Sequence, residues 1–410
     1  MAMAERLQSD ASTVVDRQLD TGVRVITVLR ADAPYAVAGV WLKGGSAADE
    51  AGREGTAHLL EHLLPLHPCG ETTTQIAIER MGGLLTPETG RDYLAFPIAA
   101  AVADALPKMV AWLVAAMAAP PSDATVLERE KTLLRLEMMA QWDDPLWAVK
   151  TVVEARLFAG TPYAHPPSGW LESVAHLELD AVQRYHARQC IAPNAALIAV
   201  LPRLEHMAAL EVAVAALPKV PTPLPSADTS QPFTSAPAPS TKGQRDGVIW
   251  GMGWRLTVAA DEEAALRAWL HYWQSVLLPV ALGSGVQEWR LFVNPTRQGW
   301  AIVLAVRSRV AASEVQRRIA ASLRQTAAVI LPPERLSLLQ QRLLLEHRCR
   351  IVDPLECARS VGQAWALYDN PTAPSGYAAA VAGLSADSVR TFAQRMAEAE
   401  PLTFEVRGGG

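Results

Sequence analysis

The sequence has few charged residues and no long apolar run. Charged side chains make up 19% of the 410 residues, and the formal net charge is −5. Because there is no basic excess, a nucleic-acid partner is not expected. The most apolar stretch, 109–121, is shorter than the roughly 20 residues that a membrane span needs. The first 20 residues contain acids and lack the apolar core of a secretory signal. We therefore expect a soluble cytoplasmic protein without a membrane partner.

Cysteine is also scarce. The four cysteines are scattered, at positions 69, 190, 349 and 357, and no pair has CxxC spacing. This spacing excludes a zinc ribbon and a thioredoxin-like redox motif. Free thiols in a reducing compartment are the expected state.

The chain is too long for one ordinary core, and one segment of unusual composition divides it. Half of the residues are hydrophobic, which is typical of a globular protein. Residues 220–246 are rich in proline, serine and threonine and contain few large apolar side chains, a composition typical of an exposed linker. We predict an N-terminal domain over 1–219, a linker over 220–246 and a C-terminal domain over 247–410.

Strand-like apolar runs come early and late in each half, with helical patterns between them. In the first half, the pattern predicts strands near 23–29, 36–42, 83–86 and 93–98, and helices near 55–66, 72–81, 100–118 and 123–141. In the second half, it predicts strands over 248–256, 300–306 and 402–406, and helices near 262–277, 312–328, 333–350 and 354–368. The predicted fold class is α+β, with two related sandwich domains that each have helices over one face of a sheet. A weak internal duplication is consistent with this order.

The motif HLLEH, from His58 to His62, carries the chemistry. It lies in an amphipathic helical pattern after a glycine, and residues four apart project from one face of a helix. Two neutral imidazoles placed in this way can bind a zinc ion. Glu61 then lies beside the ion, where it can accept a proton from an attacking water. HxxEH is the inverse of HExxH and is typical of inverzincin metallopeptidases.

Chance is a poor explanation of this motif. Nine histidines and 42 acids in 410 residues would produce a His-x-x-acid-His pattern about 0.02 times. The alternative interpretation is a pair of solvated or core histidines on a helix.

A catalytic zinc also needs a third protein ligand. The helical pattern over 123–141 offers Glu128, Glu130 and Glu137, and the last two share a face because they are seven residues apart. Neighbouring leucines turn that face partly inward, where a carboxylate needs a partner. Alone, these glutamates are more typical of an ordinary charged surface helix; beside HxxEH, a metal ligand is favoured.

With these residues, the sequence resembles the pitrilysin/insulysin group of zinc metallopeptidases, which includes the mitochondrial processing peptidases. In that family an E-x6-E pair follows HxxEH, and the interval here, 75 residues from His62 to Glu137 (137 − 62), is close to the usual one. The stretch 20–64 matches the family's opening: a strand hairpin, a Gly-Ser pair and Gly-x-Ala-His. The stretch 163–200 is similar to the one that closes its first domain.

The resemblance implies that His58, His62 and Glu137 hold one zinc ion per chain, that Glu61 is the general base, and that Glu130 supports the site from outside the metal's ligands. It also implies paired α+β domains around a chamber. A peptide substrate would add a strand to a sheet edge near the zinc and be cleaved by metal-assisted amide hydrolysis.

Two departures from the family pattern concern substrate binding. The family usually has Asn-Ala in the edge strand after the zinc helix, where this chain has Thr86-Pro87, and proline removes a backbone donor. The family also uses an Arg and a Tyr of the C-terminal half. The corresponding positions here hold Val293 and Trp300, while nearby arginines, at 290 and 297, are out of register.

The second departure implies a two-chain enzyme, in which a sister subunit of the same family supplies the missing groups. Two alternatives stay open: a non-catalytic structural or assembly subunit of the same fold, and a general peptide-degrading peptidase that works as a homodimer. Non-catalytic relatives typically lose part of HxxEH or the distal Glu, and this chain keeps both. A homodimer has no second source of the missing Arg and Tyr.

Overall fold

A computed structural model describes residues 13–220 and 247–406. The predicted linker therefore lies outside the described residues, apart from Val220. Among the helices of these two ranges, none combines the length and the apolar composition of a membrane span.

The described strands, in chain order, are β1 (Thr13–Gln18), β2 (Arg24–Leu29), β3 (Ala36–Lys43), β4 (Pro68–Cys69), β5 (Thr72–Thr73), β6 (Gly83–Leu85), β7 (Glu88–Thr89), β8 (Tyr93–Ala100), β9 (Ala195–Leu201), β10 (Val248–Leu256), β11 (Val286–Thr296), β12 (Gly299–Ser308) and β13 (Leu402–Val406). The described α-helices are α1 (Thr56–Leu63), α2 (Thr74–Arg80), α3 (Leu106–Ala118), α4 (Ala124–Trp142), α5 (Pro145–Leu157), α6 (Leu171–Ala175), α7 (Leu179–Gln189), α8 (Met207–Val214), α9 (Glu263–Tyr272), α10 (Leu278–Leu282), α11 (Ala312–Ala328), α12 (Pro333–Val352), α13 (Pro354–Tyr368), α14 (Ala373–Ala382) and α15 (Ala386–Glu398).

The described residues form two compact units, and neither is a continuous piece of chain. The first unit contains 13–135, 167–220 and 349–375, and the second contains 136–166, 247–348 and 376–406. The sequence predicts continuous domains, and the structure differs from this prediction at 136–166 and 349–375. The physical reason is that α5 packs on the sheet of the second unit and α13 on the sheet of the first.

The sheet of the first unit has the strand order β1-β2-β9-β3-β8-β6, and β7 also pairs with β8. All its pairings are antiparallel except that of β2 with β9. Because β9 lies between β2 and β3, these two strands do not form the expected hairpin. Instead β2 forms a hairpin with β1, across a turn at Gly22, whose φ is 96°.

Both faces of this sheet are buried, whereas the sequence pattern predicts helices over one face only. Alternate side chains of its strands, including Val37 and Trp41, pack with Val361 and Trp365 of α13. The other face packs with α3, which contacts β3 and β8. Burial on both sides explains why β9 is apolar and buried along its whole length. Gly362 lets α13 approach closely, because a Cβ there would lie 2.2 Å from Nε1 of Trp41.

The second unit has a four-stranded antiparallel sheet in the order β11-β12-β10-β13. One face carries a tryptophan-rich core with α9, α11 and α15. The other face packs on α5 through Val149 and Val153. Gly251 and Gly253 of β10 lie against that helix, and a Cβ at Gly253 would lie 2.4 Å from Val153. The glycines thus allow the helix to reach the sheet.

The helices α5 and α13 begin in the same way. Asp144 caps α5 and Asp353 caps α13, and each aspartate is followed by Pro-Leu. Asp144 accepts a hydrogen bond from the backbone of Leu146 at 3.0 Å, and Asp353 accepts one from Glu356 at 2.8 Å. A long helix, α4 or α12, precedes each. This parallel order supports the weak internal duplication suggested by the sequence.

Candidate metal centre

Helix α1 carries the HLLEH motif, and buried groups fix its start. Gly55 precedes the helix with a φ of 100°, and a Cβ there would lie 2.6 Å from Val174 and 2.8 Å from the carbonyl oxygen of Ser168. Conformation and space therefore both require glycine. The buried Asp49 carboxylate accepts the N–H of Gly55 at 2.7 Å and that of Ala57 at 2.8 Å, which satisfies two backbone donors at the helix start. Burial raises the pKa of this carboxyl well above its usual range, although the two N–H donors oppose the rise.

The two motif histidines lie one helical turn apart on α1. The ring centroids of His58 and His62 are 4.9 Å apart, and the rings are inclined by 80°. Among the described residues, ligand atoms of His58, Glu61 and His62 lie within 4.8 Å of one another. Burial, with a smaller contribution from His62, lowers the pKa of His58 to about 3. His58 is therefore neutral at pH 7, and neutral imidazole is the form that binds a metal.

The Glu61 carboxylate lies beside this pair and contacts the sheet. Its Oε2 is 3.3 Å from Nε2 of His58, and it accepts a hydrogen bond from the hydroxyl of Thr89 at 3.2 Å. Thr89 belongs to β7, which contacts α1. The HLLEH motif predicts the place of Glu61, but no local pattern predicts that of Thr89, because the bond joins a helix to a strand 28 residues further along the chain.

Glu130 of α4 lies against His62. Its side chain is buried, its Oε2 is 3.4 Å from Nδ1 of His62, and its Oε1 accepts a hydrogen bond from Arg129 at 3.0 Å. A carboxylate at Nδ1 orients the ring, and a ring oriented in this way binds a metal through Nε2. The contact agrees with a supporting role for Glu130, which stays a prediction.

Glu137 lies seven residues further along the same helix. Its side chain is exposed and accepts a hydrogen bond from Gln141 at 3.1 Å. The boundary between the two units falls within α4, after Arg135, so Glu137 belongs to the second unit. Zinc held by two histidines needs one more protein ligand, and the assignment of Glu137 to this role also stays a prediction.

The sheet edge next to α1 is interrupted at Thr86 and Pro87. Strands β6 and β7 pair with β8 in one continuous register. The N–H of Thr86 donates to Pro97 at 3.0 Å, and that of Gly90 donates to Tyr93 at 2.8 Å. Because successive N–H groups of an edge strand point alternately toward its neighbour and away from it, position 87 faces away from β8. Pro87 therefore removes a donor from the side of the strand that an incoming peptide would use.

Positions 293 and 300, where the family pattern has Arg and Tyr, lie on the paired strands β11 and β12. Val293 is half-buried and packs against the tryptophan-rich core, and Trp300 is a buried member of that core. Arg290 forms ion pairs with Asp144 and, at 3.0 Å, with Glu288. Both positions thus serve the packing of the second unit.

The residues around α1 fit a zinc ion in their chemistry. His58 and His62 offer imidazole nitrogens from one face of a helix, and zinc prefers such ligands. Two carboxylates lie beside these rings. That of Glu61 is next to Nε2 of His58, and that of Glu130 is next to Nδ1 of His62. Carboxylates in contact with ligating histidines are a common feature of zinc sites.

Comparison with known proteins agrees with this chemistry. Residues 24–168 match the family described as insulinase, peptidase family M16. An uncharacterized zinc protease of Mycobacterium leprae is 29% identical over 296 residues, which are 70% of this chain and 64% of that protein. The chain thus spans less than two thirds of the length of this relative.

Two solved structures are similar in fold. A protease from Helicobacter pylori has a TM-score of 0.79 at 14% identity, over 96% of this chain and 99% of that one. The peptidase M16 inactive domain from Pseudomonas fluorescens has a TM-score of 0.77 at 15% identity, over 94% of each chain. At such identities the likeness concerns the fold alone.

Residues 24–168 therefore correspond to a peptidase family M16 domain of the insulinase type, and a zinc protease is among the homologues of the chain. Its mixed helix-and-sheet fold matches M16-like peptidase structures. The matched segment contains every site residue named from the sequence: His58, Glu61, His62, Glu130 and Glu137.

Proposed function

We propose that the chain is a zinc-dependent endopeptidase subunit that cleaves a short peptide. The observation that carries this proposal is the convergence of His58, Glu61 and His62, with Glu130 against the ring of His62. The M16 domain and the zinc protease homologue support the same reaction class. In this proposal, one zinc ion per chain is held by His58, His62 and Glu137.

When bound, zinc polarises a carbonyl and makes water a stronger nucleophile. Glu61 accepts the proton of the attacking water and delivers it to the leaving amine. Its surroundings suit this role, because Thr89 and His58 contact one oxygen of its carboxylate. Glu130 keeps the His62 ring in one orientation.

The peptide binds, in this proposal, as an additional strand on the edge formed by β6 and β7. On the outer side of that edge, Pro87 offers its carbonyl but no N–H. A substrate residue opposite Pro87 can therefore donate a hydrogen bond but finds no donor for its own carbonyl. A proline in the substrate at that position would make neither bond, so the edge selects against it.

A sister subunit of the same family completes the proposed enzyme. Val293 and Trp300 are packing residues of the second unit, so this chain does not supply the Arg and Tyr of the family pattern from those positions. A heterodimer with a non-catalytic sister that carries them restores the full set of groups. The proposed setting is cytoplasmic.

The proposed substrate is the peptide precursor of pyrroloquinoline quinone. The short bacterial subunit that trims this precursor is similar to this chain in length and in an intact HxxEH motif, and it relies on an inactive sister subunit, as we propose for this chain. Incubation of the precursor with the chain and its sister, followed by mass spectrometry of the fragments, tests this assignment. An intact precursor beside cleavage of other peptides would contradict it.

A second candidate function is that of a non-catalytic assembly subunit. The fold is compatible with this role, since an inactive M16 domain also has it. The retained His58, Glu61 and His62 favour the enzyme instead.

Metal analysis separates the two candidates. We expect about one zinc ion per chain, lost in His58→Ala and in Glu137→Ala. His176→Ala, which removes an exposed histidine of the same unit, is the control and should keep the metal. A folded, metal-free chain would support the assembly role.

Hydrolysis assays test the base and the partner. We expect Glu61→Gln to keep its zinc and to lose turnover by roughly 10²–10⁴-fold, whereas Glu71→Gln, at an exposed position, stays active. Near-normal hydrolysis in Glu61→Gln would rule out Glu61 as the base.

Full activity of the chain without a co-expressed sister would contradict the partner hypothesis and support a homodimeric peptidase.

A further inference from the structure

Thr89 joins the edge of the first sheet to the proposed base. Its hydroxyl donates a hydrogen bond to Oε2 of Glu61 at 3.2 Å. Thr89 is the last residue of β7 and pairs with Leu94 of β8. One residue therefore belongs both to the edge strand and to the surroundings of the histidine pair.

The backbone on either side of Thr89 is held in place. Gly90 donates its N–H to the carbonyl of Tyr93 at 2.8 Å, and the carboxylate of Glu88 accepts a hydrogen bond from the Tyr93 hydroxyl at 2.6 Å. Arg359 of α13 adds an ion pair to Glu88 at 3.4 Å. The hydroxyl of Thr89 is thus presented to Glu61 from a fixed strand.

The backbone of Thr89 faces the outer side of the edge. Thr86 and Gly90 direct their N–H groups to β8, so the alternation of an antiparallel strand turns the N–H and carbonyl of Thr89 away from β8. A peptide that adds to this edge would bond to the backbone of the residue whose side chain holds Glu61.

We propose that Thr89 is a positioning residue, whose hydroxyl holds the Glu61 carboxylate in the orientation needed for proton transfer and ties that orientation to the substrate edge. This inference rests on the proposed function. A hydrogen bond from a neutral hydroxyl to a carboxylate restricts rotation of the acid, and orientation of a catalytic group contributes to turnover more than to binding.

Two substitutions separate this role from a purely structural one. Thr89→Val keeps the branched shape and removes the hydroxyl, whereas Thr89→Ser keeps the hydroxyl and removes the methyl group. We expect Thr89→Val to lower kcat by roughly 10–100-fold, the range of one hydrogen bond to a charged group, with KM and zinc content near those of the unmodified chain. Thr89→Ser should keep most of the activity.

The opposite order of activities, with Thr89→Val active and Thr89→Ser impaired, would overturn the inference and would indicate that Thr89 serves strand packing. So would equal loss in both variants, or a kcat in Thr89→Val close to that of the unmodified chain.

A crystal structure of Thr89→Val tests the positioning role of Thr89 without an activity measurement. We expect the Glu61 carboxylate to leave the position that it has beside His58; an unmoved carboxylate would overturn the inference. Failure of the proposed function has a different signature, because the unmodified chain with its sister would then hydrolyse no peptide, or Glu61→Gln would be as active as the unmodified chain.

Discussion

The Oε2 atom of Glu130 lies 3.4 Å from Nδ1 of His62. A carboxylate in this position fixes the ring and makes the imidazole a stronger metal ligand. Glu130→Gln keeps the side-chain size but removes the charge. We expect it to weaken zinc binding by about 10–100-fold, measured by competition with a chelator of known affinity.

Glu128→Gln is the matched control for this variant. Glu128 lies two residues earlier on the same helix, is exposed, and pairs with Lys131 at 2.8 Å. Its amide variant should bind zinc as the unmodified chain does. If Glu130→Gln also bound zinc with unchanged affinity, the supporting role of Glu130 would be wrong.

The convergence of His58, Glu61 and His62 could be predicted because it depends on the period of a single helix. The strands β10 and β13 and the helices α11 and α13 have the bounds that the sequence predicted. In these segments the local apolar period and the flanking prolines or glycines agree with the tertiary environment.

Other features depend on contacts between distant segments, which no local pattern encodes. The bond between Thr89 and Glu61 forms only when an edge strand meets α1. The insertion of β9 between β2 and β3 and the packing of α13 on the first sheet are of the same kind. A sequence clue to a doubly covered sheet existed, since the run from Ala195 to Leu201 is apolar throughout, and such runs are typical of strands buried on both faces.

Pro87→Ala should strengthen binding of an extended peptide. The change adds one N–H donor on the outer side of the edge, where Pro87 now offers none. One hydrogen bond is worth about 0.5–1.5 kcal/mol, so we expect KM to fall by roughly 2–10-fold, with little change in kcat, in steady-state assays.

Thr86→Ala is the neighbouring control, because the N–H of Thr86 points to Pro97 and the outer side of the edge is unaffected. It should leave KM near its original value. Identical KM values in Pro87→Ala and the unmodified chain would argue against strand addition at this edge.

Gly362→Ala should destabilise the first unit. A Cβ at this position would lie 2.2 Å from Nε1 of Trp41, so either α13 or the indole must move. Overpacking of this kind costs about 1–3 kcal/mol, which denaturant unfolding can measure.

The comparison with Gly376→Ala makes this test specific. Gly376 is an exposed residue of α14, and a Cβ there meets nothing within 4 Å. Alanine in a helix is favoured over glycine by up to about 1 kcal/mol, so this variant should be as stable as the unmodified chain or more so. Equal effects of the two substitutions would contradict the packing of α13 through Gly362.

The stability of the metal-free chain should fall as the pH is lowered below about 6.5, in part because of His58. Its pKa is about 3 in the folded chain, against an ordinary value of 6.5. Between these values the unfolded chain binds a proton at this residue and the folded chain does not, so protonation favours unfolding. One such proton contributes a slope of about 1.4 kcal/mol per pH unit.

We expect His58→Gln to remove this contribution, so that its unfolding free energy depends less steeply on pH between about pH 6 and 4. At pH 8, His58 is neutral in both the folded and the unfolded chain. The difference in unfolding free energy between the unmodified chain and His58→Gln at this pH therefore reflects packing alone and serves as the reference. If the two proteins kept parallel pH dependences down to pH 4, burial of a neutral His58 would be wrong.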